Sequence, residues 1–236
     1  MILAAGFGTR LKPLTDNIPK ALVPFQNEPM INYQIHKLKD YGFDEIVVNA
    51  HHFSEKIIDY FNKNSFGIKI NVIEEEKILG TGGGILNAKK YLEKEEFFLV
   101  INVDVFTDFD FSKLIIFHKS KAPLASLAVQ KRKTKRYLEF DSNMKLLCRQ
   151  NENSKKENLY AFNGIHIISN KIFQNINKSP LLVFKSASVD VTNSNQIEYL
   201  DIFDLYFEML NQKEEIFGFD VENSEFKDLG KIEIFI

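Results

Sequence analysis

Cysteine occurs once in these 236 residues, at Cys148, so the chain can form no internal disulfide and no multi-cysteine zinc site, and it suits a reducing compartment. Tryptophan is absent, which excludes nothing, because 22 phenylalanines and a hydrophobic share of 44% are ample for a core. Excess charge of either sign is missing too. A formal net charge of −2 argues against a general nucleic-acid binder, whose grip on phosphate backbones needs a broad basic surface, but it leaves room for a small anion in a local basic pocket. No apolar run approaches the roughly 20 residues of a membrane span, and Ile2 to Ala5 is too short for a secretory leader. The expectation is a cytoplasmic protein without membrane or nucleic-acid partners. The length argues for one domain over 1–236. Nothing in the sequence addresses its oligomeric state.

Several catalytic signatures are also lacking. A dinucleotide fingerprint needs a third small residue where Leu11 stands, and no P-loop occurs. His51 and His52 are adjacent on a strand pattern, so they point to opposite faces and cannot chelate one ion together. No H-E-x-x-H exists, Ser54, Ser65 and Ser169 lie in no G-x-S-x-G elbow, and Cys148 has no partner motif. Hydrolase chemistry has no foothold.

What is there begins at residues 3–25, LAAGFGTRLKPLTDNIPKALVPF. A short buried strand delivers a glycine turn, where positive φ is free and exposed backbone N–H groups can cradle phosphate. Arg10 and Lys20 add a bidentate fork and a compact point charge, the two usual ways of holding phosphate oxygens. Asp104 follows the most apolar strand pattern, 97–103, and stands where a ligand-bound divalent ion is within reach; the alternative is a turn or capping Asp, the role expected of Asp108 and Asp110. The glycine-dense 79–85 is either a flexible loop or a second close-approach surface opening a helix to about residue 92.

Strand and helix patterns alternate: helix 29–41 with Pro29 in its first turn, strand 45–49, helix from 54 with Ser54 as N-cap, strand 68–73, helix from 111, strand 125–130. Three strands at 137–141, 145–150 and 160–168 are joined by polar turns, and an amphipathic helix at 199–212 precedes a strand at 216–221. The expected fold class is α/β: a Rossmann-like three-layer αβα arrangement with a mixed, mostly parallel central sheet and a small antiparallel addition roofing one side of a cleft.

The stretch LAAGFGTRLKPLT…PKALVPF resembles the signature of the sugar-1-phosphate nucleotidyltransferases, which make nucleotide sugars. Members usually carry a residue or two ahead of this strand, which implies a slightly trimmed start. TGGGI and VVNAHH are most similar to the branch of N-acetylmuramate-1-phosphate uridylyltransferase and mannose-1-phosphate guanylyltransferase. The resemblance implies a nucleotide-binding half over about 1–110, a sugar-phosphate half over about 111–236, and transfer of a nucleotidyl group from a nucleoside triphosphate to a sugar 1-phosphate. It implies catalytic roles for Arg10 and Lys20, and nucleotide contacts at Leu3, Ala4, Ala5, Gly6, Gly8, Thr9, Gly80, Thr81 and Gly82. NVDVFTDFD and EFKDLG resemble the family's two metal segments, which implies Mg²⁺ on Asp104 and Asp228. Val103 stands where the family has Gly and is expected to crowd the backbone beside the nucleotide. YAFNGIHIIS resembles the sugar-side segment, which implies sugar-phosphate contacts at Asn163 and Gly164, with Lys155 or Lys156 as the phosphate grip; solvent is the default place for such lysines. Cytidylyl transfer to phosphocholine, or a non-catalytic sensor of the same fold, are the alternatives.

Overall fold

The computed structural model describes residues 1–151, 153, 157–176 and 198–235. The chain enters through strand β1 (Ile2–Leu3), a small ribbon of β2 (Pro24–Phe25) and β3 (Glu28–Pro29), and helix α1 (Met30–Asp40). Then follow β4 (Glu45–Ala50), α2 (Ser54–Lys63), β5 (Lys69–Glu74), α3 (Gly80–Asn87), α4 (Lys89–Leu92), β6 (Phe97–Asn102), β7 (Val105–Thr107), α5 (Phe111–Lys121) and β8 (Ala125–Gln130). A hairpin of β9 (Arg136–Phe140) and β10 (Leu146–Asn151) leads to the long β11 (Leu159–Ser169) and the short α6 (Ile172–Asn175). Helix α7 (Ile202–Asn211), β12 (Ile216–Asp220) and β13 (Phe226–Asp228) complete the described elements.

Nine strands form one sheet in the order β10-β9-β11-β6-β1-β4-β5, with β8 on the other edge of β11 and β12 beyond it. Only β10 and β11 run against the other seven, so the sheet is mixed and mostly parallel, as the alternating patterns imply. The apolar run FFLVIN reads as β6 because both of its faces are covered. Phe98 and Val100 join a core under α3, α6 and α7, while Leu99 and Ile101 join one under α1, α2 and α5. Those are the three expected layers.

Local expectations shift at some boundaries. Pro29 ends β3 and precedes α1 instead of lying in its first turn. Ser54 is the first residue of α2, not its cap; the N-cap is Phe53, at φ 55°, and the Ser54 hydroxyl bonds Glu74. The helix expected through residue 92 breaks at Ala88 into α3 and α4. Asp110 caps α5 as expected, accepting from Ser112 N at 2.9 Å.

Strand β11 forks the sheet. Its residues Leu159–Ala161 pair with β9, and Ile165–Ser169 pair with β6 on the same edge. Asn163 and Gly164 lie between, within a register shift against β8. Gly164 sits at φ 73°, and a Cβ there would meet the Asn102 amide at 2.7 Å. The bulge re-aims the strand and opens a cleft between the end of β6 and the β9–β10 hairpin.

Candidate active site

The turn after β1 leaves Gly6, Phe7, Thr9 and Arg10 exposed, while Leu3, Ala4 and Ala5 are buried. Gly8 is left-handed at φ 65°, and a Cβ on it would strike Thr15 Cγ2 at 2.8 Å and Lys20 Cβ at 3.1 Å. The glycine therefore admits the close packing that seats Lys20 beside the loop. Thr15 locks the turn by donating its hydroxyl to Gly8 O at 2.9 Å. Lys20 opens a single 3₁₀ turn after Pro19, and buried Ala21 and Val23 anchor that turn in the core.

Asp104 and Asp228 come from distant parts of the chain and meet through a two-stranded antiparallel ribbon. Strand β13 pairs with β7 so that Asp228 lies opposite Val105, and the Leu229 amide donates to Asp104 O at 2.8 Å. The four charged side chains named by the sequence then converge. Lys20 Nζ donates to Asp104 Oδ2 at 2.7 Å. Arg10 forks onto both oxygens of Asp228, at 2.9 and 3.4 Å, with Asp104 Oδ2 3.9 Å away. Around the point that a Gly230 Cβ would occupy lie Asp104 Oδ2 at 2.6 Å, Arg10 Nη2 at 2.7 Å and Asp228 Oδ1 at 2.9 Å. Burial opposes ionisation of Asp228, but the Arg10 hydrogen bond and charge outweigh it and hold the carboxyl below its ordinary value. The same pairing raises Arg10. Lys20 and Asp104 are shielded, at 14% and 11% side-chain exposure, whereas Arg10 is 58% exposed and makes its direct bond to Asp228 at the surface. The cluster is self-neutralising: two cations against two carboxylates.

These carboxylates fit a magnesium ion that arrives with phosphates. Mg²⁺ commonly takes one or two protein carboxylates and completes its shell with phosphate and water. Among the described residues no group of three or more His, Cys, Asp or Glu could hold a metal by itself. Val103 does not crowd this region. It is fully buried in the core that includes Leu99 and Ile101, so its side chain turns away from the cleft.

The glycines of α3 make a close approach, but to protein. Gly82 N and Gly83 N both donate to Leu200 O, at 2.9 and 3.1 Å, and Leu200 N donates to Leu79 O at 2.8 Å. Gly80 is at φ 75°, where a Cβ would lie 2.6 Å from Leu200 O. Thr81 Oγ1 accepts from Ile202 N at 2.9 Å. The helix N-terminus expected to offer donors to a base thus spends two of them, the Gly82 and Gly83 amides, on the segment entering α7.

A cavity of about 240 Å³ opens beside this junction. Leu3, Thr81 and Asn102 line one side, and Arg136, Arg149 and Asp201 another. Arg149 is 3.5 Å from Asp201 and lies over the Phe203 ring at 4.8 Å. Asn163 is buried; its Oδ1 accepts from Arg132 Nε at 3.0 Å, while Arg132 also donates to Phe162 O at 2.7 Å and stacks on Phe226 of β13 at 4.2 Å. Arg132 and Arg149 gave no sequence signal: Arg132 follows a strand in a polar stretch, and Arg149 lies within the expected strand 145–150 with no motif around it. Lys155 and Lys156 lie outside the described residues.

Comparison with known proteins places the chain in a family. The nucleotidyl transferase family model matches residues 1–236. A probable mannose-1-phosphate guanylyltransferase 1 of Oryza sativa subsp. japonica is 40% identical over 135 residues, covering 56% of this chain and 37% of that protein. The mannose-1-phosphate guanylyltransferase catalytic subunit beta of Dictyostelium discoideum is 29% identical over 230 residues, covering 92% and 62%. The chain therefore spans less than two thirds of the length of these relatives. The crystal structure of HddC from Yersinia pseudotuberculosis superposes with a TM-score of 0.74 at 25% identity, over 99% of this chain and 94% of that one. This chain belongs to the nucleotidyl transferase family.

Proposed function

We propose that this protein transfers a nucleotidyl group from a nucleoside triphosphate to a sugar 1-phosphate, releasing pyrophosphate. The observation that carries the reading is the convergence of Arg10, Lys20, Asp104 and Asp228 at the mouth of the first strand. The sugar phosphate is already an anion at neutral pH, so its oxygen can attack the α-phosphorus without a side-chain base, while pyrophosphate leaves in line. Positioning and charge neutralisation then carry the catalysis.

Arg10 exchanges Asp228 for the departing phosphates, and Lys20 exchanges Asp104 for the α-phosphate and the incoming phosphate. Asp104 and Asp228 would then be the residues to hold Mg²⁺, which when bound would supply neutralisation of phosphate charge. Gly6, Gly8 and Thr9 border the phosphates, and Leu3 and Thr81 border the nucleoside side of the cavity. Ala4 and Ala5 support the turn from within the core. Asn163 and Gly164 set the sugar-side rim at the fork of the sheet.

Guanine is the first base to test, because the relatives above are named guanylyltransferases. The test is pyrophosphate release with GTP, UTP, CTP, dTTP and ATP, each against mannose, glucose and N-acetylhexosamine 1-phosphates and phosphocholine, with Mg²⁺. Turnover with one triphosphate and a sugar 1-phosphate is expected. Turnover with phosphocholine alone, or binding with no pyrophosphate, would overturn the reading.

A further inference from the structure

Apart from the charged cluster, two buried polar side chains link the end of β1 to the start of α3. Asn49, 3% exposed near the end of β4, accepts the Ala4 amide on Oδ1 at 2.9 Å and donates from Nδ2 to Glu75 Oε1 at 2.7 Å. Glu75, 2% exposed just past β5, takes the Leu79 amide on its other oxygen at 3.1 Å. Its own main chain is fixed as well: the amide donates to Ala50 O at 2.7 Å, and the carbonyl meets His51 Nδ1 at 2.7 Å. Gly84 makes room for the pair, since a Cβ there would lie 2.7 Å from Asn49 Nδ2 and 2.9 Å from Glu75 Oε1. Burying a carboxyl and an amide is costly unless both are fully hydrogen-bonded, and this pair spends those bonds on two distant backbone amides.

The two amides belong to the two walls of the nucleotide pocket. Ala4 leads into the phosphate turn, and Leu79 leads into Gly80 and Thr81. We propose that Asn49 and Glu75 are positioning residues that hold these walls in register for the triphosphate. The inference rests on the nucleotide-binding reading above.

The relay has a polarity that can be tested. Two donors, Asn49 Nδ2 and the Leu79 amide, need two acceptor oxygens at position 75. Glu75→Gln supplies one, so one donor is orphaned. Asn49→Asp sets two carboxyls against each other. In the double variant Asn49→Asp with Glu75→Gln, the Asp takes the Ala4 amide and the Gln NH₂, and the Gln oxygen takes the Leu79 amide. Every partner is restored at the same total charge.

Titration calorimetry with GTP and, in parallel, UTP, each with Mg²⁺, reads the effect without turnover. Each single variant is expected to weaken the triphosphate by about tenfold or more, the loss of one hydrogen bond to a charged group. The double variant should return to within about threefold of the parent, and the KM for sugar 1-phosphate should stay unchanged throughout. Unchanged Kd in the singles, a parallel shift in the sugar-phosphate KM, or a double variant no better than the singles would overturn the proposal. If a single variant fails to fold, the double variant decides alone by the same threefold and tenfold limits. A parent protein that binds triphosphate but releases no pyrophosphate removes the enzyme reading and leaves this comparison standing.

Discussion

A Cβ added to Gly230 would lie less than 3 Å from three of the four charged side chains. Its neighbours there are all side-chain ends, so Gly230→Ala can be accommodated by displacing them and need not disturb the backbone. The expected result is a fall in pyrophosphate release of at least about tenfold, with thermal stability close to the parent; an unchanged rate would show that those positions do not matter. Arg10→Ala and Lys20→Ala should each lose about 10²–10³ in turnover, the loss of one donor that meets developing charge. Near-parental rates for both would defeat their assignment. At this scale much of the site was readable. Arg10, Lys20 and Asp104 announce themselves because charge near a strand-end glycine turn, or at the end of an apolar strand, has few structural reasons to be there; Asp228 is named only by the resemblance of EFKDLG to a family metal segment. Asn49, Glu75, Arg132 and Arg149 do not, because no motif surrounds them and most of their partners lie far off in sequence.

The ribbon of β7 and β13 brings the two aspartates together, and neither strand was foreseen. At three residues each they are too short to show an alternating pattern, and their pairing lies between distant parts of the chain. The parallel strand β6 was legible for the opposite reason: its FFLVI is a continuous apolar run that a doubly covered sheet accommodates. The glycines opening α3 were legible as a site of close approach, but the sequence could not say to what, and Leu200 supplies the answer. Gly80→Ala places a Cβ 2.6 Å from Leu200 O at a positive φ. Strain of this kind costs about 1–3 kcal/mol. Thermal unfolding should therefore begin several degrees lower, at about 2–4 °C for each kcal/mol in a chain of this size. A parental melting temperature would contradict the packing described between α3 and the entry to α7.

Across the whole molecule, two buried histidines tie stability to pH. Burial lowers His118 to about 4, where its Nδ1 lies 2.9 Å from Ser126 Oγ, and lowers His166 to about 3, where its Nδ1 lies 2.5 Å from the Tyr206 hydroxyl. The unfolded chain takes up these protons near pH 6.5 and the folded protein does not. The stability contributed by these two rings is therefore full above about pH 6.5 and falls as pH drops toward 4, by about 1.4 kcal/mol per pH unit for each histidine. The urea midpoint should be clearly lower at pH 5 than at pH 7.5, and equal midpoints would contradict the buried neutral state of both rings. No helix among the described residues is long and apolar enough to cross a membrane. The central proposal is that Asp104 and Asp228, the partners of Lys20 and Arg10, would together hold one Mg²⁺ that accompanies the triphosphate. A Mg²⁺ titration of pyrophosphate release tests it most directly, comparing the parent protein with Asp104→Asn and Asp228→Asn. Both variants should need at least about tenfold more Mg²⁺ for half-maximal rate, each having lost a charged ligand; titration curves that overlay the parent's would contradict it.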